Sequence, residues 1–427
     1  MSLKKVCVVG GKRIPFARSF SKYMGKSNQE LLTEAAKNLV SELGLEGKTI
    51  GEFVSGSVLK HSSDWNFSRE VALGSGLSAN TPAYDLVQAC GTSLQASMAV
   101  ANKIALGQIE CGMAGGVDTN SDIPFVFTRN FNHQMLRASR EKTLPGRIKQ
   151  FLKIHPKDLL PQSPGVVEPR TGLSMGESCE LMAKAWNVTR EEQDQLAYAS
   201  HAAAAKAYEE GFHQKLITPF NGLDKDNNVR PDTTEEKLAK LKPVFDRSSS
   251  GTLTAGNSST LTDGAACVFL CSEDYAKKNS LPVLATIKDF ETSAVDFVHG
   301  NAKAQGLLMA PTYAVSKMLE RNQLGLSDFD FYEIHEAFAA QVLCTLKAWE
   351  SKEFCKEQLG RSESLGIIDR TKMNVKGGSV ALGHPFAATG ARIVTGLAHI
   401  LDGNKGGRGL ISICTGGGMG VAAILEK

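Results

Sequence analysis

The 427 residues exceed the roughly 150 of an average domain, so the chain can hold two or three domains and a core that needs no disulfide staples. With 48 basic and 45 acidic residues the net charge is +3, which gives no nucleic-acid footprint and no whole-chain attraction to polyanions. A composition that is 42% hydrophobic and 22% charged excludes wholesale disorder, collagen and coiled coil.

The first strand-like run is Val6-Cys7-Val8-Val9, with no apolar signal core, cleavage site or Arg-rich transit helix before it. Leu31, Leu32, Ala35, Ala36, Leu39 and Val40 recur at helical spacing and predict an amphipathic helix. Strands are predicted from Phe53 to Leu59 and from Ala83 to Val87, then a helix from Thr92 and a glycine-rich segment over Cys111 to Gly116. This alternation is an α/β pattern.

The texture changes after Asp122. Residues 129 to 157 hold eight Lys or Arg against one acid, Glu141, and prolines gather between Pro145 and Pro169, so this stretch reads as loop-rich and basic. Its charge fits a solvated face, contact with a phosphorylated ligand, or docking to an acidic partner or anionic membrane. Thr189 with Glu192 makes a capping box for a helix running to about Gly211. Regular α/β texture returns at Thr252, with Gly264 to Cys271 as a buried strand. The expected division is a first half over 1–121 with 250–280, an insertion over 122–249, and a second half over 281–427. The two α/β runs show no repeat period.

Nine cysteines, an odd number spread from Cys7 to Cys414, do not form a secreted disulfide framework and point to a reducing, cytoplasmic setting. No apolar run approaches the 18 or so residues of a membrane span, and Ile424 to Lys427 carries no peroxisomal or lipidation signal.

Four places could carry chemistry. Cys90 lies between a strand and the helix from Thr92, where free N–H groups and the helix dipole lower a thiol pKa; alternatively it is a structural cysteine. His384 sits in Gly377-Gly378-Ser379-Val380-Ala381-Leu382-Gly383-His384-Pro385, before a helix predicted from Ala387 to Leu401, and reads as a general base or a solvent-facing loop residue. Cys414 precedes Thr415-Gly416-Gly417-Gly418-Met419-Gly420, a turn between two strands and therefore no dinucleotide fingerprint. His335-Glu336-Ala337-Phe338-Ala339 lacks the second histidine of a zinc-binding H-E-x-x-H, and Cys267 with Cys271 reads as strand core, so no metal site is expected.

Together, the strand-to-helix cysteine, the G-H-P loop, the C-x-G-G-G-x-G ending and the H-E-A-F turn resemble the thiolases nearly end to end. Arg13-Ile14-Pro15-Phe16, Gly115-Gly116, Gly256-Asn257-Ser258-Ser259 and Thr262-Asp263-Gly264-Ala265-Ala266 extend the likeness. H-E-A-F-A-A-Q and G-H-P-F-A-A-T-G-A-R look most like long-chain 3-ketoacyl-CoA thiolases of fatty-acid oxidation complexes. The resemblance implies two similar βαβαβαββ halves in a five-layered α/β core with an inserted loop domain. It implies Cys90 as the acylated nucleophile, His384 as its base and Cys414 as the second proton carrier. Backbone N–H groups of Cys90 and Gly416 would hold the thioester oxyanion, with Ser259 along the pantetheine and Met175 among the CoA contacts. His335 stands where many thiolases have asparagine and would polarise the 3-keto oxygen, directly or through water; otherwise it merely fills the turn. Ser174-Met175-Gly176 replaces a common His-Met-Gly.

The implied reaction is ping-pong cleavage of 3-ketoacyl-CoA, with CoA as co-substrate, no permanently bound cofactor, and a homodimer or larger oligomer. A fatty-acid oxidation α subunit, or peripheral membrane contact through 129–157, is a possible partner. The alternatives are a biosynthetic acetyl-CoA acetyltransferase, a decarboxylating ketosynthase, a non-catalytic acyl-CoA-binding protein and a general Cys-His hydrolase.

Overall fold

The computed structural model describes residues 3–165 and 167–427. Among these, ten strands are found: β1 (Val6–Arg13), β2 (Ala17–Arg18), β3 (Phe53–Ser55), β4 (Ala83–Asp85), β5 (Cys111–Asp118), β6 (Thr262–Ser272), β7 (Ala285–Ala294), β8 (Phe331–Ile334), β9 (Arg408–Thr415) and β10 (Met419–Glu426). They hydrogen-bond in the order β4-β3-β5-β6-β1-β7-β10-β9-β8, with β2 beside β6. β1 and β7 meet antiparallel at the centre, Val6 opposite Ile287. Outward from that seam the path reads β1-β6-β5-β3 on one side and β7-β10-β9-β8 on the other, which is one topology used twice. The duplication absent from the residue pattern is therefore present in the fold.

Strand alternation sorts side chains into layers. On β1, Val6 and Val8 enter the central core while Cys7 and Val9 face the helix Asn28–Glu42. On β10, Val421, Ala423 and Leu425 share that central core, and Ala422 and Ile424 face the opposite way, toward the core that includes Ala314, Val315, Met318 and Leu319 of the helix Ala310–Asn322. The helices Thr92–Ala105 and Thr389–Gly403 fill the middle. The result is helix, sheet, helix pair, sheet, helix, a five-layered α/β arrangement.

That middle pair brings the two halves' functional turns together. A Cβ at Gly390 would stand 2.3 Å from the backbone nitrogen of Leu94, so the two helices approach closely at their first turns. Ala391 N–H donates to Ser93 Oγ at 2.8 Å, locking this contact.

Two strands stop earlier than their apolar patterns suggest, and a carboxylate accepts backbone N–H groups near the end of each. β3 ends at Ser55, and beyond it Val58 and Leu59 donate their N–H groups to Asp118. β4 ends at Asp85, whose carboxylate accepts the N–H of Ser68 at the start of the helix Phe67–Gly74. The helix expected from Ala387 begins at Thr389.

Between β5 and β6 the described residues make six α-helices, including Met175–Ala185 and the capping-box helix Arg190–Glu209. The basic stretch is more ordered than its prolines suggest. Thr128 and Thr143 cap the helices Arg129–Arg140 and Leu144–Phe151, which pack on each other. The long excursion is tied to β1 by Arg13, whose guanidinium makes a buried two-pronged pair with Asp226 at 2.6 and 2.7 Å. No described helix is long and apolar enough to cross a membrane.

Candidate active site

Cys90 lies on a 3-10 turn, Ala89–Gly91, leading into the helix from Thr92. Ala89 is held at φ +43, a left-handed conformation that a non-glycine residue rarely adopts and that often marks functional turns. The turn packs against the β9–β10 hairpin so tightly that a Cβ at Gly91 would lie 2.9 Å from Thr415 and Val421.

His384 reaches the same point from the second half. Gly383 is at φ +105, where a side chain would strain the backbone and press on Thr262; His384 N–H then donates to Thr262 Oγ1 at 2.7 Å. Its Nε2 lies 3.1 Å from Cys90 Sγ and its Nδ1 lies 2.6 Å from Thr389 Oγ1. The tertiary fold thus joins two residues 294 positions apart into a thiol–imidazole pair.

The expected low thiol pKa is overturned. Burial pushes the Cys90 thiol up to about 12, against the N–H of Gly416, which favours the thiolate. Burial likewise holds the His384 imidazolium down to about 3, with Arg392 adding to the effect. At neutral pH the pair is a neutral thiol beside a neutral imidazole. Cys414, on β9, is also buried, and burial together with Cys90 keeps its thiol protonated.

His335 follows β8 and is fully enclosed, its ring centroid 4.2 Å from that of His384. Donor atoms of Cys90, His335 and His384 lie within 4.8 Å of one another, a trio that could hold a metal ion by distance alone. His335 Nδ1 is 2.9 Å from Ser379 Oγ, and its Nε2 has no partner among the described residues. Burial, His384 and Arg392 together hold His335 neutral.

The remaining expected residues surround this centre unequally. Gly416 directs its N–H to Cys90, and Met175, first residue of its helix, places its methyl 3.8 Å from where a Gly416 Cβ would be. Ser259 is half-buried on a loop beside the His335 turn, its N–H bonded to Ala337 O at 3.0 Å. Sequence reasoning missed four residues. Thr389 supports His384, Ser379 touches His335, Arg392 donates to Ser379, and Glu168 accepts the Gly417 N–H at 2.7 Å. Thr389 and Arg392 sit in the T-G-A-R run after the G-H-P loop, where their local spacing from His384 was a usable signal; Glu168 had none.

The chain matches the family profiles "Thiolase, N-terminal domain" over residues 6–274 and "Thiolase, C-terminal domain" over 281–427. It is 41% identical, over 428 aligned residues, to a 3-ketoacyl-CoA thiolase of Serratia proteamaculans, covering 99% of this chain and 97% of that one. Human mitochondrial 3-ketoacyl-CoA thiolase in complex with CoA superposes with a TM-score of 0.81 at 29% identity, covering 100% of this chain and 99% of its own. The Bacillus anthracis acetyl-CoA acetyltransferase gives 0.81 at 31% identity with the same coverage.

Proposed function

The chain belongs to the thiolase family, and from that premise we propose that it cleaves 3-ketoacyl-CoA with free CoA, yielding acetyl-CoA and a shortened acyl-CoA. The observation that carries this reading is the buried contact between Cys90 Sγ and His384 Nε2 at 3.1 Å.

In this reading the Cys90 thiol adds to the 3-keto carbon while its proton passes to His384 Nε2. The oxygen of that carbon becomes an alkoxide facing the N–H groups of Cys90 and Gly416, the donors nearest the sulfur. Collapse breaks the C2–C3 bond, leaves the acyl group on Cys90, and sends the electron pair into the acetyl-CoA enolate. Cys414, protonated at rest, delivers its proton to C2. Acetyl-CoA departs and CoA enters, its thiol proton passing to the Cys414 thiolate. The CoA sulfur attacks the acyl group, and the expelled Cys90 sulfur recovers the proton held by His384. Every proton returns to its starting atom.

C–C cleavage also places negative charge on the thioester oxygen of the departing acetyl unit. His335 Nε2, unpartnered beside His384, suits that oxygen better than the keto oxygen expected from the sequence, because the keto oxygen already faces the two N–H groups. We assign Ser259 and Met175 to the CoA path and take 122–249 as a loop domain between 1–121 with 250–280 and 281–427. The neutral thiol and imidazole serve the condensing direction equally, so biosynthetic acetyl transfer is the second reading, favoured by the Bacillus anthracis likeness.

The basic hairpin also presents Phe125, Phe127, Leu136, Leu144, Ile148 and Leu152 to solvent, beside exposed Arg137, Arg140, Arg147 and Lys149. Apolar groups among cations favour docking to an anionic membrane or a fatty-acid oxidation α subunit over a merely solvated face. We place this oligomeric enzyme and its reaction in the cytoplasm. Thiolysis measured with acetoacetyl-CoA and longer 3-ketoacyl-CoAs tests the reading: CoA-dependent consumption supports it, and consumption of malonyl-CoA instead indicates a ketosynthase.

A further inference from the structure

His335 Nδ1 and Arg392 Nη2 both reach Ser379 Oγ, at 2.9 and 3.0 Å. Ser379 is fully buried, the first residue of the short helix Ser379–Leu382, and among the described residues the only acceptor its hydroxyl meets is the His335 ring. A guanidinium cannot accept, so Arg392 occupies one lone pair of Oγ as donor. If His335 Nδ1 also donated to Oγ, the buried hydroxyl hydrogen would have no acceptor; if the hydroxyl donates to Nδ1, every group at Ser379 is satisfied.

We propose that Arg392 and Ser379 are positioning residues that fix His335 in the tautomer carrying its proton on Nε2, which makes that atom a permanent neutral donor toward the reacting substrate. The inference rests on the thiolase reading for the identity of that substrate, but the proton's position does not. The charged or titratable groups around the ring are consistent with neutrality. Arg392 and His384 oppose a second proton, and the carboxylates Glu333 and Glu336 act on Arg392. Glu336 is itself satisfied by Ser200, Asn374 and the Val380 N–H, so it makes no hydrogen bond to the ring.

This arrangement gives the two adjacent histidines opposite tasks. His384 presents an unprotonated Nε2 to the Cys90 thiol, while His335, 4.2 Å away between ring centroids, presents a protonated one. It also speaks against a metal ion on the Cys90, His335 and His384 trio, because a protonated Nε2 has no lone pair to give. The pairing further explains why histidine works where asparagine is common. An amide NH2 donates without help, whereas an imidazole needs a neighbour to hold its proton on the correct nitrogen.

A double-mutant cycle and a neutron structure test the proposal on the full-length enzyme. Ser379→Ala should lower kcat for acetoacetyl-CoA thiolysis about 10- to 100-fold with KM within about twofold, and Ser379→Thr, which keeps the hydroxyl, should restore most of it. In a His335→Asn background, Ser379→Ala should change kcat less than about twofold. Neutron diffraction on deuterated wild type should place a deuteron on His335 Nε2 and none on Nδ1. An equal loss from Ser379→Ala in both backgrounds, or a deuteron on Nδ1, overturns the relay. A wild type without thiolase activity but with the deuteron on Nε2 overturns the functional reading and leaves the relay standing.

Discussion

Replacing His384 by glutamine exposes how the nucleophile is made. Glutamine can place an amide near the Nε2 position but cannot take a proton from Cys90. With the thiol held at about 12, the thiolate fraction at pH 7 is on the order of 10⁻⁵, because five pH units separate the two values. Acylation of Cys90 in the variant must draw on that fraction, so the single-turnover rate at pH 7 should fall by about 10²- to 10⁴-fold, the range of a lost general base. The rate should then climb roughly tenfold per pH unit from 7 to 10 as hydroxide replaces the missing base. In the wild type, where His384 stays neutral down to about 3, acylation should be nearly flat between pH 6 and 8. Rapid-quench mass measurement of acyl-enzyme, with melting temperature as a folding control, supplies both profiles. A variant whose rate levels off below pH 8 would refute the reasoning, since it would mean that the thiol is already ionised without its base.

Other outcomes follow from the same geometry. Cys414→Ala should leave acyl transfer from acyl-CoA to Cys90 detectable while slowing full thiolysis and condensation about 100-fold or more; near-normal turnover removes Cys414 from proton transfer. Asp226→Ala strands the buried Arg13 guanidinium, a loss of about 3–5 kcal/mol. At roughly 2 cal/mol/K per residue over 427 residues, that lowers the melting temperature by about 4 °C, and Arg13→Met with Asp226→Leu should recover most of it. A fall below about 1 °C contradicts the tie. Reversing the charges of Arg137, Arg140, Arg147 and Lys149 should abolish salt-sensitive association with anionic vesicles or the α subunit and leave acetoacetyl-CoA turnover intact; a raised KM for CoA with unchanged association assigns the segment to CoA instead.

Much of this site was legible because its parts announce themselves locally. A cysteine between strand and helix, a histidine after Gly383 and a glycine run after Cys414 each reflect a backbone turn, and turns are short-range features. The same local signals misjudged the Cys90 thiol, since a helix start is visible in sequence but the burial that outweighs it is a product of both halves closing. Ser379 lay in plain view five residues before His384, yet its partner His335 is 44 positions away, and nothing along the chain pairs them. Glu168 meets Gly417 across 249 positions and Asp226 meets Arg13 across 213, so both belong to tertiary structure alone. The internal duplication was hidden for a related reason: strand order and layer are set by topology, and two sequences can share them without sharing residues.

In the proposed reaction Cys90 carries the acyl group between two CoA molecules. Intact-mass and peptide analysis of the enzyme mixed with acetoacetyl-CoA, without free CoA, tests it most directly. A single added acetyl group should appear on the peptide containing Cys90 and be discharged on addition of CoA, with neither adduct nor turnover in Cys90→Ala. An adduct on Cys414 instead, or turnover that survives Cys90→Ala, would contradict it.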